Sequence, residues 1–138
     1  MSRKRLPTLE DIDELISFLP QLYADGFEPV KEWMGGQQRD GTFEFPYPIY
    51  DEIVTAFFGA AGKECWCDHE YVPKEAAEML ADDKFIQNCN LLEMRTMLTF
   101  CVRRERFGDG NWAAFIQNGN IRSLLNRLMV LKEQAFGT

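Results

Sequence analysis

Apolar positions recur at helical spacing along most of the 138-residue chain. Leu9, Ile12, Leu15, Ile16, Leu19 and Leu22 form the first such series. It opens on Thr8-Leu9-Glu10-Asp11, the order of a capping box with Asp in the last place. Pro20 lacks the N–H a continuing helix needs, so an end or kink is predicted near Leu19. The following stretch, 24–41, is crowded with turn formers: Asp25-Gly26, Pro29, Gly35-Gly36 and Asp40-Gly41. It is therefore expected to be mainly irregular, with at most one helical turn over Val30 to Met34 and Trp33 as its anchor. Thr42 to Pro48 alternates apolar and polar residues only briefly before Pro46 and Pro48 fix an extended path, which predicts a short or edge strand.

Helical spacing resumes at Ile49 and runs through Ile53, Val54, Ala56, Phe57, Phe58 and Ala60 to the glycines at 59 and 62, with Pro48 placed near the first turn. Pro73 begins a further helix that stops at Asp82-Asp83, and a short piece over Asp83 to Asn88 follows. The longest pattern covers Leu91 to Phe107, where Leu91, Leu92, Met94, Met97, Leu98, Cys101 and Val102 keep to one side and Gly108-Asp109-Gly110 ends the run. Two more helices complete the chain. Asp109 or Asn111 is placed to cap the first (Trp112, Ala113, Phe115, Ile116), and Asn120 to cap the second (Ile121, Leu124, Leu125, Leu128, Met129, Leu131) after Gly119 closes its predecessor. The predicted fold is mainly α: a single compact domain of about six helices over residues 1–138, with at most a short edge β segment and with residues 1–7 disordered.

Composition supports that picture. A chain of this size buries roughly two-thirds of the surface its unfolded form exposes, and 46% hydrophobic residues supply the core. No stretch approaches the ~20 apolar residues of a membrane span, so a soluble protein with no membrane partner is expected. The basic start, Arg3-Lys4-Arg5, is followed by acidic rather than apolar residues, unlike a signal peptide. Cys65, Cys67, Cys89 and Cys101 then read as reduced thiols of a cytoplasmic protein. The formal charge of −7 hides an uneven distribution: residues 1–8 hold only basic charges, and residues 103–138 hold six basic against three acidic. The acidic middle repels a phosphate backbone, which argues against nucleic acid as a partner.

Candidate chemistry is sparse. Motifs for a nucleophile elbow, a P-loop or a dinucleotide fold are absent, and His69, the one histidine, has no evident triad partner in the sequence. Cys65-Trp66-Cys67-Asp68-His69 gathers zinc-type ligands, but C-x-C spacing leaves little room for a third ligand two residues on, so neither a metal nor a cofactor is expected. The acidic sets near Glu10 and Asp82 read as solvated helix faces. Arg103-Arg104-Glu105-Arg106-Phe107-Gly108-Asp109-Gly110 is the densest cluster. Two outcomes are open to it: an internal ion-pair network, with Arg103 or Arg106 held by Asp109 or an acidic helix, or an Arg pair gripping a carboxylate or phosphate bidentately. The simpler expectation is the ion-pair network.

The order Leu98-Thr99 to Arg103, Glu105-Arg106-Phe107, Gly110, Gly119, then Leu125-Asn126-Arg127-Leu128 resembles an uncharacterised prokaryotic family, a domain of unknown function built on an LT-x₃-R-x-ERF-x-x-G … L-x-RL pattern. Gly41, Pro46-Tyr47 and Trp66 are similar to its first half. The resemblance implies a helical fold and gives weight to Arg103, Arg106, Phe107 and Gly110, but it carries no activity, and Cys65, Cys67 and His69 lie outside the pattern. The expected function is a non-catalytic binding or protein-interaction module. Trp33, Tyr47 and Tyr50 would form its surface, with Arg103, Arg106 and Asp109 at the edge. The alternative is an enzyme acting on a small anionic substrate through Arg103, Arg106 and Asp109. Partners in keeping with these readings are a protein, a small anion or a second copy of the chain.

Overall fold

The computed structural model describes residues 6–137, and the Phe107 side chain is also outside the description. Most of the segment expected to be disordered, residues 1–5, thus lies outside the described residues. Helix α1 (Leu9–Ser17) starts at the expected box: Thr8 accepts from the Asp11 N–H, and the Asp11 carboxylate accepts from the Thr8 N–H. The chain breaks at Phe18, and Pro20 lies in the first turn of a short second helix, α2 (Leu19–Leu22), where a missing N–H does no harm.

Within the segment expected to be mainly irregular, 24–41, residues 30–37 form a strand. β1 (Val30–Gln37) pairs antiparallel with β2 (Phe43–Tyr50), matching Trp33 with Pro48 and Met34 with Tyr47. Gly35 and Gly36 read as turn formers in the sequence, but their positive φ values, 89° and 83°, serve a register shift between Met34 and Gly36. A Cβ on Gly35 would stand 2.7 Å from the Phe45 carbonyl oxygen, so the two backbones approach only because it is glycine. In a two-stranded sheet every strand is an edge, which is why Pro46 and Pro48 are tolerated in β2.

β2 uses residues that the sequence assigned to the next helix. That helix, α3 (Glu52–Ala61), begins at an Asp51 cap rather than near Pro48. A 3₁₀ turn (Glu64–Trp66) leads to α4 (Pro73–Leu80), and Asp82 caps α5 (Asp83–Asn88). The central helix, α6 (Leu91–Arg104), carries a capping box between Asn90 and Glu93 and tightens into 3₁₀ over Glu105–Phe107. Helices α7 (Asn111–Gln117) and α8 (Asn120–Phe136) finish the chain.

The core is formed where α6 and α8 meet the other helices. Phe57, Phe58 and Trp66 are fully buried, together with Met94, Met97 and Leu98 of α6 and Leu124, Leu125 and Leu128 of α8. Phe58 stacks on Trp112 at 4.5 Å between ring centres, and Phe57 stands edge-on to Phe18. Leu92, expected on the inner face of α6, is 61% exposed, whereas Leu91 packs against the core and Met94 is fully buried in it. Among the described residues no helix is long and apolar enough to cross a membrane.

Candidate functional site

The residues singled out in the sequence separate into three places. The first is a structural junction around Glu105. Its carboxylate accepts from the Tyr50 hydroxyl at 2.8 Å, from the Gly110 N–H at 3.0 Å and from the Trp112 N–H at 3.0 Å. Neither Asp109 nor Asn111 therefore caps α7; a carboxylate from the preceding 3₁₀ turn meets the free N–H groups at its start. Burial first, then the hydrogen bond and the charge of Glu105, push the Tyr50 hydroxyl well above its ordinary range. The Trp33 ring lies over Gly110, where φ is +94° and a Cβ would meet the ring at 3.1 Å. Trp33 and Tyr50 thus fasten the hairpin to the start of α7.

The second place is the outer face of the hairpin. Met34, Phe43, Phe45, Tyr47 and Ile49 are exposed there, Phe45 by 85%, with Phe43 and Phe45 edge to face. Tyr47 belongs to this face and is separated from Tyr50 by the sheet itself, because an offset of three positions reverses the side on which a strand residue stands.

The third place is a cavity of about 170 Å³ lined by Gly62, Cys67, Thr99, Val102, Arg103 and Arg106, together with Ala61. Here the expected ion-pair network is not found. Among the described residues neither Arg103 nor Arg106 makes an ion pair. Arg103, half-buried, directs one N–H to Cys67 Sγ at 3.4 Å and lies 5.1 Å from the centre of the Tyr71 ring, while Arg106 is exposed. Asp109 is exposed and does not line the cavity.

One face of α6 builds this wall. Arg95, Thr99 and Arg103 follow at intervals of four, so they stack along the helix and hold the 66–69 loop against it. Arg95, only 5% exposed, donates to the Cys67 carbonyl at 2.8 Å. Thr99 donates to the Trp66 carbonyl and accepts from the Asp68 N–H, and Thr96 donates to the Asp68 carboxylate at 2.7 Å. These bonds fix the position of Cys67.

The loop so held contains an arrangement absent from the sequence reading. Cys67 Sγ lies 3.7 Å from His69 Nδ1, and His69 Nε2 lies 2.8 Å from Glu64 Oε1. His69 thus has a thiol on one ring nitrogen and a carboxylate on the other, the pairing that the sequence did not show. The three residues offer ligand atoms within 4.8 Å of one another. A metal, however, must draw all three donors to one point, whereas here the ring divides them between opposite nitrogens. In the tautomer with the proton on Nε2, the ring donates to the carboxylate and Nδ1 accepts from sulfur. The signals were present as Cys67 and His69 two apart and as the Arg95, Thr99, Arg103 stripe, but nothing local links loop to helix.

The family of unknown function DUF6508 matches residues 7–134. The chain belongs to this family. That agrees with the resemblance seen in the C-terminal half, and the match takes in the hairpin, the 64–69 segment and the Arg cluster of this DUF6508 domain together. No curated protein and no solved structure matches the chain significantly.

Proposed function

We propose that this DUF6508 domain is a binding module for a small anionic group, carboxylate or phosphate, held between Arg103 and Arg106. The observation that carries this reading is two guanidinium groups on one cavity without a carboxylate answering either among the described residues. Guanidinium forks match such oxyanions bidentately, and a low-dielectric wall strengthens the attraction. At about 170 Å³ the cavity is smaller than the roughly 300–1,000 Å³ of sites that enclose a drug-sized ligand, so it takes a charged head group rather than a whole cofactor. Catalysis through Arg103, Arg106 and Asp109 has less support, because the Asp109 carboxylate is not at the cavity.

The test is thermal unfolding with phosphate and with a dicarboxylate. A ligand at 100 times its Kd adds about 2.7 kcal/mol to the wild type, and Arg106→Ala removes that gain. Equal responses of the two proteins, or none from the wild type, refute the reading.

A protein-interaction role is the second reading, favoured by the exposed apolar outer face of the hairpin. A second copy of the chain is the occupant to test, since two such faces are self-complementary. Sedimentation at rising concentration should show association that Phe45→Ser with Tyr47→Ser abolishes; a monomer at every concentration refutes it.

A further inference from the structure

We infer that Cys67 is a nucleophilic thiol that forms mixed disulfides with small disulfides carrying a carboxylate, using His69, oriented by Glu64, to relay the proton. The clause about the carboxylate rests on the anion pocket proposed above; the relay does not. Sulfur, imidazole and carboxylate stand in line at 3.7 Å and 2.8 Å, the order in which a base takes a proton from a nucleophile while a third group orients it. Arg103 donates to the same sulfur, and Arg106 lines the same cavity. Cys67 is also the one cysteine that is not buried, whereas Cys65, Cys89 and Cys101 are enclosed in the core. Burial pushes the thiols of Cys89 and Cys101 above their ordinary range, which keeps them protonated and inert.

The surroundings select the electrophile. Acyl transfer needs N–H donors free to receive a developing oxyanion. Of the backbone N–H groups at 67–70 three are taken, which leaves no adjacent pair beside this sulfur to receive an oxyanion: the Cys67 N–H donates to the Glu64 carbonyl, the Asp68 N–H to Thr99 and the Glu70 N–H to the Asp68 carboxylate. Attack on a disulfide places no charge on oxygen. The Cys67 proton passes to His69 Nδ1, and the sulfur attacks one sulfur of the disulfide. A new S–S bond forms as the old one breaks, and the departing sulfur leaves with the electron pair and collects the proton from His69. The products are a mixed disulfide on Cys67 and one free small thiol, with no other oxidant required.

Two reagents separate the parts. 5,5′-Dithiobis(2-nitrobenzoate) carries carboxylates, and 4,4′-dithiodipyridine is a neutral disulfide; release of the coloured thiol gives the rate for each. The folded wild type should react at one thiol per chain, and Cys67→Ser should abolish the reaction. His69→Asn should slow both reagents by about tenfold, and Arg106→Ala should slow only the carboxylated one. His69 and Arg106 are at the surface, and matching unfolding curves verify that both variants are folded. Unchanged rates with both reagents in His69→Asn would make Cys67 an ordinary exposed thiol and overturn the inference. An unchanged preference for the carboxylated reagent in Arg106→Ala would overturn its carboxylate selectivity and the anion pocket with it, while leaving the relay measured by His69→Asn intact.

Discussion

Replacing Glu105 by Ala removes the acceptor for three donors at once, two of them backbone N–H groups at the start of α7 and one the Tyr50 hydroxyl. Loss of a helix N-terminal acceptor costs about 1 kcal/mol in typical cases, and a hydrogen bond to a charged group contributes about 1.5–3 kcal/mol. Because the junction is only partly buried, water recovers some of each bond. The lower ends therefore apply, and Glu105→Ala should destabilise by about 2.5 kcal/mol, equivalent to a fall of about 8 °C in Tm for a domain of this size. Arg106→Ala is the matched control: an exposed side chain with no ion pair among the described residues, it should change stability by under about half a kcal/mol. Urea unfolding of the two variants beside wild type measures both. A loss below about 1 kcal/mol for Glu105→Ala would show that the three bonds are readily replaced by water. A loss for Arg106→Ala as large as that for Glu105→Ala would show that Arg106 is held by an ion pair, which it does not make among the described residues, and would remove the basis of the anion pocket.

Leu98→Ala opens a cavity at a fully buried position of α6 and should cost about 2–5 kcal/mol by denaturant unfolding; a loss under about half a kcal/mol would mean that the helix face packs elsewhere. Thr99→Val keeps the shape but leaves the Trp66 carbonyl and the Asp68 N–H without their partner, so a loss of about 1–3 kcal/mol is expected together with altered Cys67 reactivity, and unchanged stability with unchanged Cys67 reactivity would show that the loop is held without it. Stability should fall on the alkaline side: the folded state holds the Tyr50 and Tyr23 protons more tightly than the unfolded chain, so their contribution is complete below about pH 10 and is lost as pH rises above it, with buried Cys89 and Cys101 adding slope from about pH 8.5. Urea midpoints across this range test the sign, and stability that held or rose with pH would contradict it. Gly35→Ala forces a side chain into a left-handed backbone against the Phe45 carbonyl and should loosen the hairpin, read as faster amide exchange over β1 with little change in α6; unchanged exchange would refute the close approach.

The sequence by itself determined the helices, because the information for them is local. Spacings of three and four placed most of the apolar faces of α6 and α8, with Met129 an exception on α8, and Thr8 with Asp11, Pro73, Asp82 and Gly119 marked ends that the structure keeps. Single residues were less certain where only the neighbours of a helix decide which side is covered, as Leu92 shows. What tertiary structure alone decided are the features built from distant pieces of chain. Gly35 and Gly36 carry the same local signal in a turn and in a bulged strand, and pairing with β2 selects the strand. Glu105, rather than its arginine neighbours, became the fastening of the cluster because the hairpin brought Tyr50 to it from 55 residues away. Cys67 faces Arg103 across 36 residues because the stripe on α6 binds the backbone of its loop. A helix is specified by contacts a few residues apart, whereas such a site exists only once loop-closure entropy has been overcome by the packing of the whole core.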